Sequence, residues 1–311
     1  MLFFFSERVF WSFLRPNDSL ADWLLTWLAY SLLGWIVLIL VRTYRIDSFL
    51  PLFLAGAVYG WTAEGVVVDT FYGGPDNPFP LSVSFTGLAW HALLSVGIGW
   101  YLLPRALTAP KPNRTILTSL AIGLGWGLWA AWWPNELGQG DNTSLARFAG
   151  HALACSLLFL GSWGVLGRVR SDAFQVGQAE AGFLFGLAAL LFLSARVPAR
   201  PLAAWILPAL LLLAAIGLRR SAGHADRRDL LDECLGRIHA ANVVALALIP
   251  LTAIAVYAPF RLLGFYPATN VVLYLATTPL GFWFFLRALW PRRGRAMREE
   301  QRRNIQPEAV R

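Results

Sequence analysis

Along the chain, apolar runs alternate with short polar connections, and the runs rather than the connections set the length scale. Stretches near 20–41, 48–70, 83–103, 115–133, 145–167, 179–197, 201–218, 240–258 and 268–290 are apolar with few charges. Each supplies roughly 20 residues, enough at 1.5 Å per residue to cross a hydrocarbon core about 30 Å thick. The pattern predicts an all-α, polytopic transmembrane bundle of nine helices. Within 179–218, Pro198 and Pro201 leave room only for a tight hairpin between the two spans.

The start, MLFFFSERVFWSFLRPNDS, places its apolar run ahead of its charges and has no small-residue cleavage site. It is expected to be an interfacial amphipathic helix over 1–18 rather than a signal peptide. The rest divides into one transmembrane domain over 19–290, with the site-bearing helices within 48–167, and a basic tail over 291–311.

Composition agrees: 57% of the 311 residues are hydrophobic and 14% charged, with 15 Trp. Soluble domains carry about a quarter charged residues. The net charge of +8 raises the thought of nucleic acid, but the arginines lie in connections and in the tail RRGRAMREEQRRNIQPEAVR, where they act as topology signals, so no nucleic-acid partner is expected. One set of connections holds Arg42, Arg45, Arg105, Lys111, Arg114, Arg168, Arg170, Arg219 and Arg220, then Arg227, Arg228, Arg237 and the tail. The alternate set holds Arg196, Arg200 and Arg261 and none over 71–82 or 134–144. This asymmetry predicts an outside N-terminus and a cytoplasmic C-terminus in a cell membrane, with Arg8 and Arg15 counting against it. Cys155 and Cys234 do not suggest a disulfide framework.

In the connection HADRRDLLDECLGRIH, Leu230, Leu231, Cys234, Leu235 and Ile238 fall at helical spacing, which predicts an amphipathic surface helix. His224, Cys234 and His239 fit no four-ligand zinc pattern. Glycines in GLGWGLW, on the fourth helix, follow no strand and are read as close helix packing rather than a dinucleotide fingerprint. Trp126, Trp129, Trp132 and Trp133 are read as interfacial belt and packing.

Ionisable residues inside apolar runs carry the candidate chemistry, since each costs about 2.5–3.5 kcal/mol at membrane depth and such groups face the bundle interior or a wet cavity. Glu64, His91 and His151 each lie roughly 10–12 Å below the same surface by helix rise. Asp69, Glu136 and Arg147 lie above them as further candidates, while Asp76 and Asp141 are read as solvated loop residues. FTGLAWHAL and FAGHALA, each following a turn-rich loop, form a faint parallel repeat.

These residues admit three expectations. The first is a membrane-embedded hydrolase acting on a lipid or a membrane peptide: His91, His151 and Glu64 would hold Zn²⁺ with an open position for water, or Glu64 would act as general base with a histidine stabilising an oxyanion. The second is haem binding with His91 and His151 as axial ligands and Arg147 on a propionate. The third is a proton-coupled transporter using Glu64 and a histidine as relay. YGWTAEG followed by WHALLSVGIGW resembles the glutamate and histidine intramembrane peptidases, the CAAX-protease and bacteriocin-processing family, over about a sixth of the chain. Gly65 stands where that family's paired glutamate would follow Glu64, so its activity is not carried over. Four histidines are too few for a histidine-box oxygenase, GSWG at 161–164 lacks the strand-to-helix turn of a nucleophile elbow, and GQGD at 138–141 is a chance match to the GxGD of aspartyl intramembrane proteases.

Overall fold

The computed structural model describes residues 1–12, 19–74, 77–136, 144–170, 174–222, 229–235 and 237–290, without the side chains of 132–136. Asp76, Asp141, Arg15, His224, the Glu136, Trp132 and Trp133 side chains and the tail 291–311 therefore lie outside the described residues.

Among the described residues the chain is all-helical. Eight helices are long and apolar enough to cross a membrane: α1 (Leu20–Tyr44), α2 (Phe49–Val67), α3 (Val83–Leu107), α5 (Leu145–Leu166), α6 (Gln178–Ala199), α7 (Ala203–Ser221), α8 (Ala240–Leu263) and α9 (Thr269–Leu289). The ninth expected span also forms a helix, α4 (Asn113–Glu136), whose last five side chains lie outside the described residues.

α2 sits at the centre, with every residue from Pro51 to Thr62 buried, as expected of a helix that is apolar all round. Gly56 and Gly60, four residues apart, let α3 approach closely. A Cβ on Gly56 would meet the Ala92 Cα at 2.9 Å, and one on Gly60 would meet the Gly87 carbonyl and, at 2.7 Å, the His91 Cβ. This is the small-xxx-small packing used between membrane helices. Gly123 and Gly127 do the same for α4 against α8, at Ile249 and Ala253, whereas Gly125 faces open space. Many outward side chains are large and apolar, Leu157 and Leu158 among them, as a surface facing lipid requires.

Two expectations change. Residues 1–12 lie within the bundle instead of along an interface: Phe4–Arg8 are all buried, including Ser6, Glu7 and Arg8. Phe4 stacks on Phe159 at 4.3 Å, and Arg8 lies over Trp23 at 4.2 Å. The burial is tolerated because side chains take the segment's carbonyls: Trp90 Nε1 donates to Phe5 O at 3.3 Å and Trp129 Nε1 to Phe10 O at 2.7 Å. Trp126 Nε1 adds a bond to Ser12 Oγ at 3.2 Å. Buried backbone groups need such partners, so Trp126 and Trp129 are donors inside the bundle rather than an outer belt.

The second change concerns the α7–α8 connection, where the helix is short, Leu230–Cys234, opened by an Asp229/Asp232 capping box. Its apolar side chains are buried against the bundle, and it is strapped there by Arg42 to Asp229 at 2.9 Å and to Asp232 at 2.7 Å. Burial pushes the Asp232 carboxyl up, but the bonds from Arg42 outweigh it and hold it below its ordinary value. Burial also pushes the Cys234 thiol up to about 12.

Candidate functional site

Glu64 and His91 meet directly. Gly56, Gly60 and Glu64 follow one another at intervals of four on α2, so the face that packs on α3 delivers the carboxyl to His91. Glu64 Oε1 lies 2.7 Å from His91 Nε2, and both side chains are buried. The helix ends at Val67, three residues later, which puts the pair about 5 Å from the helix end by helix rise and shallower than expected. Beyond it the chain turns back through Thr70–Tyr72, and Thr70 Oγ1 donates to Glu64 Oε2. Tyr72 OH donates to Gly65 O at 3.1 Å, holding this turn over the helix end.

The other imidazole nitrogen is occupied as well: His91 Nδ1 lies 3.2 Å from Ser6 Oγ, and Ser6 Oγ lies 2.7 Å from Tyr59 OH. Thr70, Glu64, His91, Ser6 and Tyr59 thus form one hydrogen-bonded chain. An ionised carboxylate only accepts; in the arrangement with Glu64 as carboxylate and a neutral imidazole, Thr70 and His91 both donate to Glu64 and His91 carries its proton on Nε2. Nδ1 is then the bare nitrogen, directed at the serine hydroxyl.

This arrangement forms part of the wall of a cavity of about 500 Å³. Glu7, Tyr30 and Thr70 contribute polar atoms to it beside Glu64 and His91, and Leu25, Ala29, Leu33, Val67 and Val68 give it an apolar side along α1 and the end of α2. Glu7 is paired with Arg8 at 3.3 Å and hydrogen-bonded to Tyr30.

The segments that converge here share an unusual winding. Phe4–Arg8, Ala63–Val67 and Val83–Leu102 all follow the wider i→i+5 pattern, ending on Val9 N–H to Phe4 O, Val68 N–H to Ala63 O and Leu103 N–H to Ile98 O. Such windings are uncommon and cluster at functional sites.

His151 does not join this group. Its Nε2 donates to Arg8 O at 2.9 Å, its Nδ1 is 3.8 Å from Cys155 Sγ, and its ring packs 6.1 Å from Trp126. It is buried but does not line the cavity. The residues do not fit the expected zinc site: among the described residues no group of three His, Cys, Asp or Glu side chains is placed to hold a metal, and both nitrogens of His91 are already engaged. The axial haem pair fails similarly, because each histidine is engaged by a different part of the Ser6–Arg8 segment, His91 by the Ser6 hydroxyl and His151 by the Arg8 carbonyl.

Asp69 is exposed and pairs with Arg200 at 3.4 Å. Arg147 is exposed in the first turn of α5, its backbone N–H bonded to the Ser144 cap at 3.3 Å. Arg196, one of the three arginines of the alternate connections, donates to Val66 O at 3.0 Å and Val67 O at 2.7 Å, capping the carbonyl end of α2 where a cation is favoured. Sequence reasoning missed Ser6, Glu7, Tyr30, Tyr59 and Thr70. Of these only Glu7 carried a signal, as half of a charge pair with Arg8 inside the otherwise largely apolar FFFSERVF.

The chain matches no family model, no curated protein and no solved structure. The resemblance of the Glu64 segment to the glutamate and histidine intramembrane peptidases therefore gains no support at the level of a family.

Proposed function

We propose that the chain is a membrane-embedded hydrolase whose Glu64–His91 pair performs metal-free acid–base chemistry on an acyl compound of the membrane. The observation that carries this reading is the 2.7 Å carboxylate–imidazole bond on the wall of a largely apolar cavity. A carboxylate that fixes the tautomer of a histidine leaves the second ring nitrogen free to take a proton from an attacking hydroxyl or water, which contributes about 10²–10⁴-fold to rate. The charge asymmetry of the connections supports an outside N-terminus in a cell membrane, with the cavity near the outer surface. Substrate would reach it from lipid past α1.

A transmembrane proton relay is less well supported, because among the described residues the hydrogen-bonded chain runs from Thr70 to Tyr59, and Tyr59 precedes Glu64 by five residues, about 7.5 Å along the helix. It does not reach the opposite surface.

The test is release of carboxylic acid from lipid vesicles of phosphatidylethanolamine, phosphatidylglycerol and diacylglycerol, or cleavage of a reconstituted transmembrane peptide, by protein purified in mild detergent. Glu64→Gln and His91→Ala are each expected to lower the rate at least about a hundredfold. Parent protein that releases nothing above protein-free vesicles, or variants as active as the parent, would overturn the proposal.

A further inference from the structure

Ser6 occupies a position that a packing serine does not need. Its hydroxyl is 3.2 Å from the bare Nδ1 of His91, and it lines the same cavity as Glu64 and His91 although the residue is only 3% exposed. In the arrangement where its own hydrogen goes to Nδ1 of His91, it accepts from the Tyr59 hydroxyl 2.7 Å away and keeps a second oxygen lone pair. The backbone on either side is held by side-chain donors: Trp90 on Phe5 O, His151 on Arg8 O and Trp129 on Phe10 O. A carboxylate orients an imidazole, the imidazole faces a hydroxyl, and the hydroxyl is clamped at the edge of an accessible space. These are the geometric roles by which nucleophile, base and orienting group are recognised irrespective of sequence order.

We infer that Ser6 is the nucleophile of this site and that its substrate is the acyl ester of a membrane lipid, an inference that rests on the hydrolase reading. The Ser6 Oγ–carbonyl bond forms as the Oγ proton passes to His91 Nδ1. The ester C–O bond then breaks, and the departing alkoxide takes that proton and leaves as the alcohol. Water gives a proton to Nδ1 and adds to the acyl-serine, and collapse of the adduct releases the carboxylic acid and returns the proton to Ser6. The net reaction is ester plus water to acid plus alcohol, with no other reactant.

Two observations favour a lipid ester over a peptide. The pair lies about 5 Å from the end of α2, close to the membrane surface where lipid ester groups sit, while the apolar wall formed by Leu25, Ala29 and Leu33 suits an acyl chain. An extended peptide would need backbone partners at a strand edge, and the walls of this cavity are mostly helical.

The experiment treats full-length protein in mild detergent with an alkyl fluorophosphonate, which phosphonylates activated serines, and reads the intact mass and the modified peptide; vesicle hydrolysis is measured on the same samples. One adduct within residues 1–12, abolished by Ser6→Ala and by His91→Ala, with lipid-ester hydrolysis reduced at least about a thousandfold by Ser6→Ala, is the expected result. Ser6→Cys, which keeps a nucleophile in place, is expected to shift labelling from the fluorophosphonate to iodoacetamide, and thermal unfolding of each variant separates a lost nucleophile from a lost fold. Hydrolysis that survives Ser6→Ala within a few-fold but is lost in Glu64→Gln would overturn the nucleophile and leave the hydrolase intact. An adduct at Ser6 accompanied by cleavage of a membrane peptide and no ester hydrolysis would overturn the substrate class. Neither adduct nor hydrolysis would overturn both readings.

Discussion

His91 and His151 stand in similar sequence, FTGLAWHAL and FAGHALA, and both touch the N-terminal segment, yet they have become different chemical objects. His91 is held between a carboxylate and a hydroxyl on a cavity wall; His151 is held between a backbone carbonyl and a thiol, away from the cavity. A carboxylate stabilises the imidazolium that proton transfer creates, whereas a backbone carbonyl only uses the ring as a donor. Depth in the membrane and residue type are therefore not sufficient to make a site: the partner of the second nitrogen and access to the ring decide.

The comparison breaks most severely if the pair is split. His91→Ala leaves Glu64 buried without its partner, which is expected to cost about 3–5 kcal/mol. Glu64→Leu with His91→Leu is expected to recover most of that loss without restoring activity. Both are read by thermal unfolding in detergent, and a single variant as stable as the parent would show that the pair is not buried as described.

Gly60→Ala tests whether helix approach sets the pair. The added Cβ would collide with Gly87 and His91, and overpacking of this kind costs about 1–3 kcal/mol, with loss of activity. Gly125→Ala, whose Cβ meets nothing within 4 Å, is expected to be silent. Equal behaviour of the two would exclude close approach as the cause.

His151→Ala sharpens the contrast. It removes a donor from a buried carbonyl, an effect of about 1–2 kcal/mol, and Gln at this position is expected to restore part of it. At position 91 Gln is expected to restore no activity. Rescue at both positions would mean that both histidines serve only as donors.

The smallest effect lies on the opposite side of the molecule. With its thiol pushed up to about 12 by burial, Cys234 is expected to react slowly with maleimide at pH 7.5 until the protein is denatured. Below the ordinary thiol range the neutral group costs nothing on folding; as pH rises past 9 the unfolded thiolate forms first, so stability falls. Rapid native-state labelling would show that the Leu230–Cys234 helix is not docked on the bundle.

Much of the architecture was legible in advance, because leaving water is a property of each segment. All nine expected helices form at their expected places, and the residues that cost most in an apolar run, Glu64 and His91, did mark a cavity. His151 was assigned with them because helix rise measures depth along an axis and not rotation about it. The N-terminal segment was misread because Ser6, Glu7 and Arg8 among phenylalanines satisfy the pattern of an interfacial helix equally well. Thr70 lay in a turn with no periodicity to follow.

What the sequence determined by itself was therefore the partition: which stretches are helical and apolar enough to span, and which ionisable groups are carried inside them. Only the tertiary structure decided the pairing. Glu64 reaches His91 because Gly56 and Gly60 admit α3 at close range. Ser6 reaches His91 because tryptophan and histidine donors from α3, α4 and α5 satisfy the carbonyls of a segment that would otherwise stay at the surface. The physical reason is that hydrophobicity acts on each residue separately, while a hydrogen bond between helices depends on register and rotation to within an ångström, which the packing of small residues sets.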